Sequence, residues 1–222
     1  LSTETLNRLG FTTADNVGMS SAILSKVDGI ANKAVNAKMT PGIQVLVAKD
    51  GKVIFQKSFG HHTYEKKIKV QNSDIYDIAS VTKILATLPN VMLQYDQNKL
   101  NLETILGTMN PLFQGSNKQS ISFKDLLSHY AGLPAGLPFY KAALNQAQKP
   151  SEVYFRKMPE ENFTKRLGDS LYIRNDFSDI IMKMIVESRL SPKKEYRYSD
   201  LTFMILKDYL EKTTGKTLDV LT

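Results

Sequence analysis

A hydroxyl and an amine stand three residues apart in Ser80-Val81-Thr82-Lys83. A helix beginning at Ser80 puts both side chains on one face with Cβ atoms about 5–6 Å apart, close enough for the amine to take the hydroxyl proton. The positive end of that helix also favours negative charge on the serine oxygen and on the oxyanion formed after attack. A lysine base must be neutral, and its ordinary pKa is about 10.4. Desolvation among Ile78, Ile84 and Leu85 predicts a pKa lowered toward the ~7–8 useful near neutrality. A plain helix N-cap with a solvated lysine one turn later accounts for the same four residues. A second constellation is Tyr198-Ser199-Asp200, which precedes an apolar helix. A phenol beside an ammonium gives up its proton more readily than a free one, so Tyr198 can share a proton with Lys83 and act as base for Ser80 or acid for a leaving group. Taken alone, the tripeptide also reads as a Ser199 or Asp200 cap with Tyr198 merely packing.

The elements that must position these groups change character along the chain. Ile23, Val27, Ile30, Ala34 and Ala37 recur at spacings of three and four, which predicts an amphipathic helix starting near Ser20 or Ser21 and packing on a sheet. Ile43 to Ala48 and Val53 to Phe59 are β-rich runs joined through Asp50-Gly51, a strong hairpin signal. From about Asp77 onward the pattern is helices between loops. Ser80 to about Asn98 reads as a helix that Pro89 kinks or splits. Phe123 to Tyr130, ended by Gly132 and Pro134, Phe177 to Ser188, and Thr202 to Lys212, stopped by Gly215, read as three more. Only the hairpin gives convincing strands, and a two-stranded hairpin is marginal by itself, so further strands are expected after Thr222. The expected organisation is a lead-in segment over 1–18, helix plus hairpin over 19–76, and a mainly helical part over 77–222.

Composition removes whole classes of function. The 222 residues are 42% hydrophobic and 23% charged, close to globular averages, which excludes collagen-like, mucin-like or broadly disordered chains. Cys is 0, so disulfides, Cys-ligated zinc, iron–sulfur clusters and thiol nucleophiles are excluded. The net charge of +7 is scattered. Its densest stretches, Glu65 to Lys69 and Lys193 to Arg197, include a Glu and carry no nucleic-acid motif, so they read as solvated surface. No apolar run approaches the ~18 residues of a membrane span. The chain opens at Leu1 without an initiator Met or a leader pattern, which fits a processed start or an internal piece of a longer protein.

The order of these segments carries a resemblance. Helix, hairpin, Ser80-x-x-Lys83, Asp125-Leu126-Leu127-Ser128-His129-Tyr130-Ala131-Gly132-Leu133-Pro134, Tyr198-Ser199-Asp200 and Thr214-Gly215-Lys216 together resemble the serine β-lactamase and penicillin-binding-protein superfamily. The likeness is greatest to its class C-like branch, which also holds esterases and D-amino-acid peptidases, and it runs from about Val17 to Thr222. The resemblance implies an α/β (α+β) fold of the β-lactamase/transpeptidase type, an antiparallel sheet with a helical subdomain. It implies a serine hydrolase that cleaves an ester or amide through an acyl-enzyme on Ser80, with Lys83 and Tyr198 managing the proton and Asp200 facing substrate. His129 is structural in this scheme, and no cofactor or metal is implied. Implied partners are a small ester or amide or a peptidoglycan-like substrate, in the periplasm or outside a bacterial cell.

Two departures qualify what the resemblance implies. The family's third motif, a Lys- or His-containing strand ending in Gly that supplies an oxyanion-hole N–H, does not occur before Thr222, so the likeness is C-terminally incomplete. Lys212 to Gly215 is no substitute, and it is no phosphate-binding loop either, because Leu210 stands where that loop needs Gly. The family usually has Asn where this chain has Asp200. An ionised Asp only accepts, and its charge near Lys83 holds the ammonium in its protonated form, which argues against efficient β-lactam turnover. The alternative is a non-catalytic module that uses the same cleft to bind peptidoglycan or glycan ligands, with fusion to a glycosidase domain.

Remaining candidates are weaker. His61-His62 point to opposite faces of a strand and read as a solvated pair rather than metal ligands. Asp74 with Asp77, and Glu160-Glu161, have no spacing that supports a two-carboxylate glycosidase. Met182, Met184 and Met204 read as helix core filling.

Overall fold

The computed structural model describes residues 9–222. Its contacts separate the residues up to Asp77 from Ile78–Thr222 as two compact units.

The first unit contains β1 (Gly10–Phe11), a 3-10 turn at Asp15–Val17, α1 (Ser21–Leu24), α2 (Lys26–Asn36), β2 (Gly42–Lys49) and β3 (Lys52–Gly60). Ser20 caps α1 by accepting the Ile23 N–H at 3.2 Å. The expected single helix is broken at Ser25, and part of its inward face moves by one residue while Val27 and Ala34 stay as expected. Leu24, Val27, Ala31 and Ala34 turn inward, whereas Ile23 and Ile30 are exposed. Small side chains let α2 lie close on β2 and β3, and Lys57 of β3 pairs with Asp28 of α2 at 2.8 Å. The hairpin forms as expected. β2 and β3 pair antiparallel from Gly42↔Gly60 to Lys49↔Lys52, and the connecting Asp50 and Gly51 both take positive φ, 51° and 69°. Two left-handed residues in succession match the strand twist, which is why an Asp-Gly pair suits the turn. β1 adds a third strand, parallel to β3, that two residues without alternation could not announce.

The second unit begins with a continuous helical segment over 81–96, in which Lys83–Thr87 form a wide π turn before α3 (Leu88–Asp96). The Leu88 N–H reaches back five residues to the Lys83 carbonyl. Pro89 follows directly, so its missing N–H falls where the ladder already changes register and the segment widens instead of splitting. Next come α4 (Leu106–Met109), a 3-10 turn at Pro111–Phe113, α5 (Phe123–Leu127), α6 (Phe139–Ala142), β4 (Phe155–Arg156), β5 (Lys165–Gly168), β6 (Leu171–Ile173), α7 (Phe177–Glu187), α8 (Asp200–Thr214) and α9 (Leu218–Leu221). The small antiparallel sheet β4-β6-β5 corrects the expectation of strands in the hairpin alone. Its strands have two to four residues and no apolar alternation.

α8 is the central helix of this unit. Leu201, Ile205, Leu206 and Leu210 are almost wholly buried, each contributing about 2 kcal/mol relative to exposure. They meet Phe113, Phe123, Leu126, Leu133 and Ile185, and Tyr209 packs edge-on to Phe123 with ring centres 4.8 Å apart. Gly215 ends α8 at φ 69°, its N–H bonded to the Glu211 carbonyl. The core thereby fixes the start of α8, which carries Tyr198 to Asp200.

Candidate active site

Ser80 stands just before the first helical residue, and its carbonyl accepts the Lys83 N–H at 3.0 Å. The hydroxyl is not occupied as a cap in the way the simplest reading of the sequence allowed. It accepts from Lys83 Nζ at 3.1 Å and from Tyr198 OH at 2.8 Å. Ala79, immediately before it, has φ +44°. An L-residue in this region costs about 1–2 kcal/mol, so the backbone that presents Ser80 is held under strain.

Tyr198 is delivered from 118 positions away by two segments laid side by side. Ser191 N–H bonds to the Gly132 carbonyl, Arg197 N–H to the His129 carbonyl and Asp200 N–H to the Ala135 carbonyl, each at 2.9 Å. Gly132 has φ +69°, and a Cβ there would lie 3.3 Å from the Ser191 carbonyl oxygen, so close approach requires glycine. α5 stops at Leu127, three residues before the expected end, because His129 itself takes a left-handed φ of +60°. Ser199 caps α8, accepting the Leu201 N–H at 3.2 Å and donating to the Pro134 carbonyl at 2.6 Å. Asp200, the first residue of α8, receives Lys83 Nζ on Oδ1 at 2.6 Å. All four residues singled out from the sequence, Ser80, Lys83, Tyr198 and Asp200, are therefore joined in one hydrogen-bonded group.

The Beta-lactamase family matches residues 28–222. The chain belongs to the beta-lactamase family. The likeness to an N-acetylmuramyl-L-alanine amidase of Bacillus subtilis is 27% identity over 94% of this chain and 45% of the relative. Among solved structures, the octameric penicillin-binding protein homologue of Pyrococcus abyssi has a TM-score of 0.64 at 18% identity, covering 89% of this chain and 40% of its own. A beta-lactamase/D-alanine carboxypeptidase of Pseudomonas syringae has a TM-score of 0.61 at 14% identity over 89% and 46%. This beta-lactamase-family chain has the β-lactamase/transpeptidase-like fold, and it spans less than half the length of the curated relatives it matches.

Within this hydrogen-bonded group, the electrostatics of Lys83 depart from the sequence expectation. Ile78, Ile84 and Leu85 are about half exposed and form no dry wall around the amine. Burial does push the Lys83 pKa down, but the hydrogen bonds and charge from Asp200 and Tyr198 outweigh it and leave it above the ordinary lysine value. With its side chain 15% exposed and a carboxylate at 2.6 Å, Lys83 is an ammonium at neutral pH. The consequence read for Asp200 from the sequence, a charge that keeps Lys83 protonated, matches this direction.

The resemblance implies a structural part for His129 without naming its contacts. Its ring lies 4.7 Å from that of Tyr198, and Nδ1 accepts the Ser199 N–H at 3.2 Å. Other candidates lie elsewhere. His62 is not merely solvated, since Nε2 meets Asp74 Oδ2 at 2.6 Å, and that carboxylate also accepts the Gln71 N–H. Glu160 pairs with Arg156. Among the described residues no three His, Asp or Glu side chains gather as a metal site, and no helix is long and apolar enough to cross a membrane.

Proposed function

We propose that the chain carries the nucleophile and proton carriers of a serine hydrolase acting on an ester or amide. The observation that carries this reading is the convergence on Ser80 Oγ of two donors, Lys83 Nζ and Tyr198 OH, from segments far apart in sequence. Once the Lys83–Tyr198 pair has given up one proton to solvent, Ser80 Oγ forms a bond to the substrate carbonyl carbon while its own proton passes to that pair. The carbonyl electrons move to oxygen at the positive end of the helix over 81–96. Collapse breaks the bond to the alcohol or amine, which leaves with that proton. Water then repeats the sequence on the acyl-enzyme and frees Ser80.

The relative named as an N-acetylmuramyl-L-alanine amidase supports a peptidoglycan-like amide as substrate and the cell envelope as location. A fluorophosphonate probe tests the nucleophile directly, because it needs an activated hydroxyl and no particular substrate contact. Ser80 is the residue expected to carry the label by peptide mass mapping, and Ser80→Ala is expected to abolish it. Label on another serine would overturn the assignment. The second reading, a binding module for peptidoglycan or glycan ligands, is favoured by one feature, the 2.6 Å ion pair that keeps Lys83 charged. Complete indifference of Ser80 to the probe, with retained binding of muropeptides, would select it.

A further inference from the structure

We propose that His129 is a positioning residue: its Nδ1, as acceptor for the Ser199 N–H, holds Tyr198 against Ser80 and Asp200 against Lys83. The functional meaning of this clamp rests on the reading of Ser80 as nucleophile, whereas the clamp itself does not. Ser199 precedes the first turn of α8, so no helix carbonyl can take its N–H. The residue is 1% exposed, and water cannot take it either. A buried N–H without a partner costs about 1–3 kcal/mol, which makes Nδ1 its necessary acceptor. Tyr198 and Asp200 flank this amide on either side, so a shift at Ser199 moves both.

His129 grips the segment at two points. Its carbonyl accepts the Arg197 N–H and its ring nitrogen accepts the Ser199 N–H, so one residue registers two alternate amides. Thr202 Oγ1 is 3.4 Å from the same nitrogen but donates to the Ser199 carbonyl at 2.8 Å, leaving Nδ1 to the Ser199 amide. The ring is wedged between Tyr198 at 4.7 Å and Phe203 at 5.6 Å, with Tyr196 edge-on at 6.1 Å. Its left-handed backbone conformation fixes the direction from which it reaches in.

Such a clamp works with the neutral ring only, because an imidazolium has hydrogen on both nitrogens and would turn Nδ1–H against the Ser199 N–H. The titratable and charged groups that face the ring are Lys83, Asp200, Tyr198 and Tyr196. Burial first and the Lys83 charge second hold the His129 pKa below the ordinary histidine value, against an opposing pull from Asp200. The clamp is therefore closed at neutral pH and opens as pH falls through that lowered value.

The test compares wild type, His129→Asn and His129→Phe by the rate of fluorophosphonate labelling against pH, together with hydrogen exchange of the Ser199 amide. Asn keeps an acceptor near the Nδ1 position, tolerates the positive φ and does not titrate. Phe keeps a ring without an acceptor. His129→Asn is expected to label within about threefold of wild type at neutral pH and to lose the acid limb that histidine causes. His129→Phe is expected to label about tenfold or more slowly than wild type at neutral pH, with faster exchange at Ser199, and to converge with wild type where acid has opened the histidine clamp. Should His129→Phe fail to fold, the acid limb of wild type against its loss in His129→Asn decides. Wild-type labelling and exchange reproduced by His129→Phe, or an acid limb unchanged in His129→Asn, would overturn the proposal. If wild-type Ser80 takes no label, the nucleophile reading fails by itself and exchange at Ser199 still decides the clamp.

Discussion

Two lysines of the helical unit are withdrawn from water, and their ammonium groups are driven in opposite directions. Lys118 is fully buried and donates to Asn117 Oδ1 and the Val186 carbonyl, both at 2.9 Å, and to the Ser188 carbonyl. These oxygens are neutral, and burial lowers its pKa. Lys83 is also partly buried, yet Asp200 and Tyr198 more than reverse the effect. Hydrogen-bond geometry is thus satisfied at both places, and a formal negative charge separates them. The lysine for which the proposed chemistry wants a neutral amine is the one kept charged, while the one at the carboxyl end of α7 holds a helix end together.

The largest expected effect sharpens this contrast as a double dissociation. Lys83→Met should slow labelling of Ser80 by roughly a hundredfold to ten-thousandfold by removing a proton carrier, while the urea midpoint barely moves, because the pair it breaks is partly solvated. Lys118→Met should do the reverse. It leaves the Val186 and Ser188 carbonyls and Asn117 without their donor, so unfolding in urea should become easier by about 3 kcal/mol, with labelling of the folded fraction kept. Equal loss of labelling in both variants would break the comparison.

Legibility in the sequence followed the range of the interactions. The Asp50-Gly51 hairpin, the helix after Ser199 and the Gly215 stop were readable because local rules of turn and cap determine them. Ser80, Lys83, Tyr198 and Asp200 could be named from motif order, but spacing could not say that Tyr198 and Asp200 reach Ser80 and Lys83 across more than a hundred residues. The sign of the Lys83 shift was hidden for the same reason, since it depends on whether apolar neighbours or a distant carboxylate stand closer. β1 and the small β4-β6-β5 sheet are too short to leave a periodic trace. On the first helices spacing places Val27 and Ala34 inward correctly, but the break at Ser25 turns Ile23 and Ile30 outward and brings Leu24 and Ala31 in instead. The role of His129 needed the backbone, as nothing in Ser128-His129-Tyr130 announces a left-handed histidine accepting an amide 70 positions away.

Asp200→Asn converts the environment of Lys83 toward that of Lys118, with oxygen acceptors and no charge. Burial is then opposed by less, and the Lys83 pKa should fall. Where labelling depends on a neutral amine, its rate-against-pH curve should move to lower pH, and labelling by a penicillin-type probe should rise by about tenfold for each unit of pKa displacement. The restored amide donor acts in the same direction on the penicillin. A curve that stays in place would mean that Asp200 does not set the charge on Lys83.

The smallest effect is a pair of opposite slopes in stability against pH. Lys118 binds its proton less tightly folded than unfolded, so the folded state gains as pH rises toward the ordinary lysine value of about 10.4. Lys83 binds its proton more tightly folded, so its contribution is fully present below that value and is lost as pH rises through its raised folded pKa. Urea midpoints followed from neutral to strongly alkaline pH should show Lys118→Met flattening the rise and Lys83→Met flattening the fall. Each change should be smaller than the displacement Lys118→Met causes at pH 7, because the proton equilibrium is only part of what that side chain does there. A rise that persists in Lys118→Met, or a fall that persists in Lys83→Met, would show that other groups set the slope and that the two lysines do not differ in the way their surroundings require.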